Sequence, residues 1–559
     1  MATSAMEGSK TDPKPQNEQN GESHKPPTPF EQAIVLSGHG KFHLLLSIGC
    51  GFCLVAMVGE VFGTAFLIPA AQCEFEMDSS EKGLLNAISY IGMICSSHLW
   101  GYLADTRGRR KTLIVALVLD AVCGLASSLA DTYWLFCLLR FFNGFFVCAP
   151  SAVVFAYLGE FHSAPTRSRA VMLVSVFLSV GGIFQQGLAW LIIPQDWAVQ
   201  LPWPDLIFRS WRVFVVINAL PSVATAVILF FLPESPKFLF SKGKEGQALD
   251  VLRRVFAVNT GRPAEEYPVA RVVMDAREIA PTAVVQPTSA IEIFKSMWLQ
   301  TKPLFQRPNL TLTTLACIIQ FSLYASYNGF AVWLPDLYNR LSIYTERNPN
   351  HSLTICEVVT ALANSTAVAG DFVRSTQIDN LTELIMVNST EGHVANETWG
   401  LNNMSPCTST VDPTVFRNSL AVGLVCITVY TCAGFLVKFI QKKLLMVVCL
   451  VASSVCIATI NVANTELLLV VLSSIFIAMA GVSVNMLSSI VIDNIPTQLR
   501  AMAICLSLMS GRLGVTVCSL VLGILLDSAC NASLFSLSGI VLVCCILTYM
   551  LPGPPKDTC

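Results

Sequence analysis

The stretch GYLADTRGRRKT, residues 101–112, decides the fold, because it places four clustered cations between two long apolar segments. Its glycines, its acid and its two adjacent arginines are Gly101, Gly108, Asp105, Arg109 and Arg110. Cations alone are enough to anchor a loop on the inner side of a membrane. The glycines and the acid add a tight turn to those cations, so we predict a short charged turn that joins two membrane helices.

Composition indicates that most of the chain lies in lipid. Hydrophobic residues make up 53% of the 559 residues, charged residues only 13%, and the mean hydropathy is +0.60. A soluble domain carries about a quarter charged residues. The chain has no recognisable nucleophile arrangement, metal cluster, phosphate-binding loop or basic domain. We therefore predict that it is not an enzyme, needs no cofactor or metal, and binds no nucleic acid.

Apolar runs long enough to span a bilayer recur along the chain. A spanning helix needs about 20 mostly apolar residues, and twelve such runs are present. They cover 44–68, 83–103, 112–131, 133–157, 171–193, 211–232, 311–335, 418–438, 444–463, 466–492, 501–526 and 534–551. We predict an all-α integral membrane protein with twelve transmembrane helices in two six-helix halves and an additional glycosylated loop domain.

Lysine and arginine concentrate on one side of the predicted spans, so both termini are predicted to be cytosolic. The first 42 residues are polar and proline-rich, and we expect a disordered tail there. The predicted segments are the tail at 1–42, the first six-helix half at 43–232, a cytosolic linker at 233–309, helix 7 at 310–336, an outer loop at 337–416, helices 8 to 12 at 417–551 and a cytosolic tail at 552–559.

The outer loop is rich in acceptor sites for N-glycosylation. These are Asn350, Asn364, Asn380, Asn388, Asn396 and Asn403. Their number on one predicted face indicates a glycosylated segment in a lumen or outside the cell. Asn309 also begins such a site, but we expect it to remain unmodified on the inner side. Because that outer compartment is oxidising, we predict a disulfide between Cys356 and Cys407.

Charged residues inside predicted spans are costly and usually functional. Glu60 lies in the middle of the first span, where it either binds a substrate cation or proton in a central cavity or is protonated or hydrogen-bonded between helices. Arg140 and Arg512 lie near helix ends in the two halves, and we interpret both as structural ion-pair partners rather than solute ligands.

Aromatic and amide residues offer a second set of candidate ligands. Trp190 in the fifth span and Tyr327, with its neighbour Asn328, in the seventh are predicted to line the cavity and contact the solute. Trp333 lies near the outer end of its span, where anchoring at the membrane interface explains it equally well.

Longer motifs carry a resemblance to a known family. The segments EVFGTAFLIPAA, KGLLNAISYIGMICSSHLWGYLADTRGRR and YNGFAVWLPD are similar to the synaptic vesicle glycoprotein 2 family, and PESPK at 233–237 resembles sugar-porter-like members of the major facilitator superfamily. The resemblance covers residues 40–552. It implies a transporter fold in which two halves rock about a central cavity. Family members have two acids in the first span, whereas this chain has Glu60 at one position and Met57 at the other.

The same resemblance implies a set of gating residues at the inner end. Glu234 is expected to pair with the Arg109 cluster or with the basic loop after the fourth span, and Glu160 with Arg167 and Arg169. The full predicted set is Gly101, Asp105, Gly108, Arg109, Arg110, Glu160, Arg169 and Glu234.

Two functions remain open at this point. The first is a transporter of a small polar or organic solute that works by alternating access. The alternative is a non-transporting vesicle membrane glycoprotein that regulates secretion. Expected partners are the lipid bilayer, the solute, and vesicle or secretory proteins that bind the luminal loop and the N-terminal tail. The expected location is a synaptic or secretory vesicle or the plasma membrane.

Overall fold

A computed structural model of the chain describes residues 28–202, 206–273, 298, 301–347, 353–363, 411–437, 439–495 and 499–552. The six predicted glycosylation asparagines and Cys407 lie outside these residues, as do residues 1–27 of the predicted tail.

The described part is almost entirely helical, and helices follow one another closely along the chain. In the first half these are α1 (Phe30–Leu36), α2 (Lys41–Ala71), α3 (Ser79–Arg107), α4 (Arg109–Ser127), α5 (Tyr133–Gly159), α6 (Ala164–Ile192), α7 (Ser210–Phe231), α8 (Pro236–Ser241) and α9 (Glu245–Thr260). In the second half they are α10 (Leu310–Leu323), α11 (Gly329–Arg347), α12 (Pro413–Leu436), α13 (Lys442–Ile460), α14 (Glu466–Asn494) and α15 (Arg500–Tyr549).

Local sequence fixes where several of these helices begin. Asp78 precedes α3 and forms a capping box with Glu81, in which each side chain accepts a hydrogen bond from the other residue's backbone N–H. Asp412 and Thr465 cap α12 and α14 in the simpler way, with the side-chain oxygen accepting from a first-turn N–H. Loss of such a cap costs about 1 kcal/mol.

Nine helices in the described residues are long and apolar enough to cross a membrane. α3 and α4 occupy predicted spans but are not among the nine. α15 contains the last two predicted spans, which a break in helical geometry at Ala529 (φ −143°, ψ 46°) separates. The structure therefore confirms the all-α membrane architecture and places helix at each predicted span, without establishing that all twelve cross the bilayer.

The N-terminal segment contradicts part of the predicted disorder at 1–42. Strand β1 (Thr28–Pro29) pairs in parallel with a short strand at Val272–Val273. The following helix α1 buries Phe30 in a small core with Phe256 of α9. The tail is polar overall, so its few apolar residues did not predict a folded segment. They are nevertheless enough to hold the segment against the linker helices.

A short hairpin connects α6 and α7. Its strands, Ala198–Leu201 and Leu206–Arg209, pair antiparallel. The linker contains the amphipathic helix α9, whose buried residues include Leu252 and Phe256.

The two halves meet along several helix pairs: α3 against α15, α2 against α11, and α6 against α12. We name the end of the bundle that holds Gly108 the inner end and the end that holds Asp336 the outer end, following the predicted topology. Near the outer end α3 and α15 cross closely at Gly83 and Gly523. A Cβ atom at Gly83 would lie 2.7 Å from the Ser519 carbonyl oxygen, so only glycine fits this contact.

Apolar side chains also cover the outward faces of the helices. Examples are Val115, Val118 and Val122 on α4 and Val448, Val451 and Val455 on α13. Their spacing of three and four residues places each set on one helix face. Exposed apolar stripes of this extent are what lipid contact requires.

The predicted disulfide between Cys356 and Cys407 is wrong. Cys356 is bonded to Cys530, with Cα atoms 5.4 Å apart. Cys530 directly follows the break at Ala529, between the two spans that α15 contains. The fold brings this part of α15 against the helical residues at 355–363. The prediction paired the two cysteines that lie in the loop. The sequence alone does not show which helix lies near Cys356 in the fold. Cys73 is also disulfide-bonded.

Candidate functional site

A cavity of about 470 Å³ lies between the halves, with walls from α2, α3, α5 and α6 of the first half and from α11, α12, α14, α15 and the turn before α11 of the second. Most of its wall is apolar, and Met57 and Val61 face it from α2. Its lining reaches Phe155 toward the inner end and Pro335 toward the outer end. This cavity, at the interface of two helical bundles, is the principal candidate site of the molecule.

Four tyrosines line the cavity: Tyr90, Tyr324, Tyr327 and Tyr430. The rings of Tyr324 and Tyr327 pack edge to face, with centroids 5.6 Å apart. Both belong to a turn of π-helix, Tyr324–Asn328, that joins α10 to α11. Such turns are frequent at functional sites. Tyr327 and Asn328 therefore lie where we predict them, while their contact with solute stays a prediction.

Unpartnered amide groups distinguish the α6 wall of the cavity. Gln185 and Gln186 both line it. Neither amide atom of Gln185 has a hydrogen-bond partner in the described structure, and the same is true of the Gln186 side-chain oxygen. A buried polar atom without a partner costs about 1–3 kcal/mol. These amides are therefore positioned to gain energy from a polar group inside the cavity.

Arg512 is the one charged residue among the described residues that line the cavity. Its guanidinium donates to Ser97 Oγ at 2.9 Å and to Ser151 Oγ at 2.8 Å, which ties α15 to α3 and α5 of the other half. No carboxylate lies within ion-pair distance of it in the described chain. Our prediction that Arg512 is a structural ion-pair partner is therefore wrong, since its side-chain partners are two hydroxyl groups and the sulfur of Cys148 at 3.3 Å.

Glu60 is not part of the cavity wall. Its carboxylate accepts a hydrogen bond from Arg140 Nη1 at 2.9 Å, and both side chains are 1% exposed. Arg140 also donates to Ser127 Oγ at 3.2 Å, so the pair joins α2, α4 and α5 inside the first half. The structure thus confirms Arg140 as a structural ion-pair partner, and of the two roles left open for Glu60 it shows the one in which the carboxylate is hydrogen-bonded between helices.

Trp190 is not among the residues that line the cavity, and its side chain is 42% exposed. It lies one helical turn after Gln186 on α6, and its contact with solute stays a prediction.

At the inner end, Arg109 is the centre of the predicted gate. Its guanidinium meets Asp105 at 2.8 Å and Glu160 at 3.1 Å and also donates to the Ala104 carbonyl at 3.0 Å. Burial raises the pKa of the Glu160 carboxyl, and the adjacent Arg109 opposes that rise. The turn between α3 and α4 is thereby attached to the end of α5.

Glu234 joins the same turn through its backbone. Its carboxylate accepts from the N–H of Arg110 at 2.9 Å and from that of Lys111 at 3.4 Å. These are first-turn amides of α4, where a carboxylate is favourably placed. Gly108 has φ of 111°, and a Cβ there would collide with the Glu234 carboxylate. Only glycine therefore suits the turn.

The remaining predicted gate residues behave differently. Glu160 pairs with Arg109 rather than with Arg167 or Arg169. Arg167 instead meets Glu31 of α1 at 2.9 Å, and Arg169 is exposed and forms no ion pair in the described chain. Gly101 lies within α3 with open space beside it. Loop position alone could not show which of several nearby cations reaches Glu160.

The second half has a smaller inner cluster, which sequence reasoning missed in part. Lys442 at the start of α13 meets Asp493 at 2.7 Å and Ser489 Oγ at 2.7 Å, both near the end of α14. Lys443 donates to the carbonyls of Tyr549 and Leu551. The sequence feature that could have predicted this pair is Asp493, an acid at the end of the tenth predicted span.

A buried ion network closes the outer end, and the sequence analysis did not predict it. Lys82 of α3 meets Asp336 of α11 at 3.0 Å, and the two side chains are only 8% and 2% exposed. Asp336 also meets Arg340 at 2.7 Å, and Arg340 reaches Asp527 of α15 at 2.7 Å and donates to Ser79 Oγ at 2.9 Å. The network spans both halves directly above Pro335 of the cavity wall.

Two helical bundles, a cavity between them and charged clusters at both ends define a solute-transporter fold. The family model described as "Sugar (and other) transporter" matches residues 36–365, and the chain belongs to that family. It is a multi-pass membrane protein of the major facilitator type that resembles synaptic vesicle glycoprotein 2.

The similarity to curated proteins is moderate and partial. Synaptic vesicle glycoprotein 2B of Mus musculus is 31% identical over 322 residues, which are 55% of this chain and 47% of that protein. Synaptic vesicle glycoprotein 2A of Rattus norvegicus is 30% identical over 325 residues, 56% of this chain and 44% of that protein. The chain thus matches about half the length of these relatives.

Solved structures match nearly the whole chain at low sequence identity. An inward open conformation of the xylose transporter XylE from E. coli gives a TM-score of 0.60 at 14% identity and covers 92% of this chain and 97% of that one. A partially occluded inward open conformation gives 0.60 at 13% identity. At such identities the likeness establishes the fold alone.

Proposed function

We propose that the protein transports a small organic solute that carries an anionic or strongly hydrogen-bond-accepting group. The observation that carries this proposal is Arg512, the single charged side chain facing the cavity among the described residues. A guanidinium held by hydroxyl groups keeps its full positive charge and has N–H donors suited to a carboxylate or a similar group. The tyrosines and unpartnered glutamines supply apolar contact and further hydrogen bonds.

The chemistry of the first span supports the same assignment. Met57 faces the cavity at a position where the family resemblance implies an acid, and Glu60 is neutralised by Arg140 outside the cavity. A cationic solute would therefore meet Arg512 and no described carboxylate. Electrostatics disfavour that pairing, because like charges in a medium of low polarity repel strongly.

The gating arrangement supports alternating access as the mechanism. Lys82 and Asp336 join the halves at the outer end, and the inner clusters stay within one half each. Separation of the outer network and closure at the inner end would expose the cavity to the opposite side. In this proposal Arg109, Arg110, Glu160 and Glu234 hold the first half rigid while it rocks.

The topology and location belong to the proposal as well. Both termini face the cytosol, and the segment at 337–416 faces a lumen or the cell exterior with glycans on its asparagines. A vesicle membrane is the proposed location, by analogy with the relatives named synaptic vesicle glycoprotein. Vesicle or secretory proteins that bind this outer segment or the N-terminal tail are proposed partners.

The test uses purified protein in liposomes and three aromatic probes of nearly equal size: benzoate, benzamide and benzylamine. We expect uptake of benzoate to exceed that of benzamide and far exceed that of benzylamine. Arg512→Gln should lower benzoate uptake by about tenfold or more, since a hydrogen bond to a charged group contributes about 1.5–3 kcal/mol. The same change should leave benzamide uptake nearly unaltered.

Arg417→Gln is the matched control, because Arg417 is an exposed arginine at the start of α12 outside the cavity. Preference for benzylamine, or benzoate uptake that survives Arg512→Gln, would contradict the assigned solute class. A complete lack of uptake under every gradient would favour the non-transporting vesicle glycoprotein instead.

A further inference from the structure

Three histidines cluster at the inner end of the first half, apart from the cavity and from the Arg109 gate. They are His39, His43 and His162, and each places a ring nitrogen within 4.8 Å of a nitrogen of the other two. Ring centroids lie 4.4 Å apart for His39 and His43 and 4.7 Å apart for His43 and His162. Three imidazoles this close form a set of donors for a transition-metal ion.

The cluster is assembled from three separate segments. His39 is exposed in the turn between α1 and α2, His43 is buried in the first turn of α2, and His162 is buried in the loop between α5 and α6. The N-terminal segment, the first membrane helix and an inner loop therefore converge at this point. Two buried rings provide a fixed base, and the exposed ring is free to move toward them.

Hydrogen bonds to backbone carbonyls orient both buried rings. His43 Nε2 lies 3.1 Å from the Phe161 carbonyl oxygen, and His162 Nδ1 lies 2.8 Å from that of Leu158. Because a carbonyl only accepts, these nitrogens carry the protons of the neutral rings. The opposite nitrogens, His43 Nδ1 and His162 Nε2, then hold lone pairs. Ligand histidines in metal proteins are typically oriented in this way.

One side chain contacts a lone pair of the cluster, and it has other partners. Asn259 Nδ2 lies 3.2 Å from His43 Nδ1, but also 3.0 Å from the Gly38 carbonyl oxygen and 3.3 Å from that of Ser37. An amide nitrogen has two protons and here faces three acceptors. It can release His43 and keep both carbonyls, so no buried donor loses its bond when a metal replaces it.

The charge next to the cluster does not oppose a cation strongly. Arg167 is the nearby cation that acts on His162. Its guanidinium is paired with Glu31 of α1 at 2.9 Å, which offsets much of its charge.

We propose that His39, His43 and His162 form a binding site for a divalent transition metal of the zinc class. Zinc–nitrogen bonds are about 2.0–2.1 Å long and the geometry is tetrahedral. The exposed His39 therefore has to move inward to bring the three nitrogens to bonding distance. The bound ion would fasten the turn before α2 to the α5–α6 loop and so hold the N-terminal segment against the bundle. A water molecule is the expected fourth ligand.

The first experiment titrates Co²⁺ into the full-length, metal-depleted protein in detergent, purified without a polyhistidine tag. Tetrahedral Co²⁺ absorbs visible light far more strongly than the hydrated ion. We expect one Co²⁺ per chain, displaced by Zn²⁺. His39→Ala and His162→Ala should each weaken binding at least about tenfold, since even outer-shell changes cost about 10–100-fold.

His98→Ala is the matched control, because His98 is a half-buried histidine of α3 outside the cluster. It should bind Co²⁺ like the natural chain. His39→Cys tests the geometry directly, because a thiolate ligand adds a sulfur-to-cobalt charge-transfer band in the near ultraviolet. His39 is exposed, so its variants should keep the natural melting temperature without metal. Lack of Co²⁺ binding by the natural chain, or binding equally strong in His39→Ala, would overturn the proposal.

Discussion

The two ends of the bundle use charge in opposite ways. At the outer end, Lys82 and Asp336 form a buried ion pair that crosses from one half to the other. At the inner end, Arg109 pairs with Glu160 within the first half, and Lys442 pairs with Asp493 within the second. No ion pair among the described residues joins the halves at the inner end.

This difference shows which part of the structure holds the present conformation. Buried pairs between the halves oppose their separation, whereas pairs within a half only stiffen it. Among the described residues, ion pairs therefore hold the halves together at the outer end only, while the hydrogen bonds from Arg512 to Ser97 and Ser151 join them beside the cavity.

The largest effect is expected from Asp336→Asn. The change leaves Lys82 and Arg340 as buried cations with a common neutral neighbour, and loss of one partner of a buried pair costs about 3–5 kcal/mol. We expect a lower melting temperature and an opened outer end. A membrane-impermeant maleimide should then label a cysteine placed at Phe66 of the cavity wall faster than it does without the Asp336 change.

Arg417→Ala is the control for this experiment. It breaks the Arg417–Glu466 pair of the outer end, which lies within the second half and is 61% and 48% exposed. Such a pair contributes about 0–1 kcal/mol. Equal labelling of Phe66→Cys in both backgrounds would show that the buried network does not lock the outer end.

Gly108→Ala tests the inner turn of the first half. The native φ of 111° and the nearby Glu234 carboxylate both oppose a Cβ atom, and a strained backbone position costs about 1–3 kcal/mol. We expect a lower melting temperature without increased labelling at Phe66→Cys, because this turn lies within one half. Gly101→Ala, in open space on α3 before this turn, should be neutral or slightly stabilising.

The smallest effect is expected from Lys442→Ala. Lys442 and Asp493 are 34% and 42% exposed, so the pair should contribute about 1 kcal/mol or less. Because salt screens exposed charges, the difference in melting temperature from the natural chain should shrink as ionic strength rises. A loss as large as that of Asp336→Asn would mean that the inner cluster of the second half matters as much as the outer network.

The sequence was enough to predict the helices, because a membrane span requires a long apolar run and little else. The family resemblance left two partners open for Glu234, and the structure shows the one at the turn that holds Gly108 and Arg109. The last two spans were separated correctly as well, because the predicted runs 501–526 and 534–551 lie on either side of the break at Ala529.

The cavity was harder to predict, because α2 is apolar on nearly every face. Such a helix gives no periodic signal that shows which side faces the cavity. The sequence therefore left Glu60 open between a solute or proton site and a position between helices, and the structure pairs it with Arg140, 80 residues later. The outer network had a usable signal that was overlooked: Asp336 and Arg340 are four residues apart, the spacing of a helical ion pair.

The histidine cluster could not be predicted, because residues 39, 43 and 162 come from distant segments. Motif searches depend on short fixed spacings, which suit cysteine pairs better than ligands brought together by helix packing. Met57 is a different case. The sequence already showed that this position departs from the family pattern, and the structure added that the position faces the cavity, so the cavity has no acid there.

The bond between Cys356 and Cys530 has a consequence for whatever recognises the outer face. Both cysteines belong to the second half, so this bond fixes the helical residues at 355–363 to that half. If the protein works by alternating access as proposed, these residues move together with the second half. A protein or antibody that binds them would then slow the transport cycle.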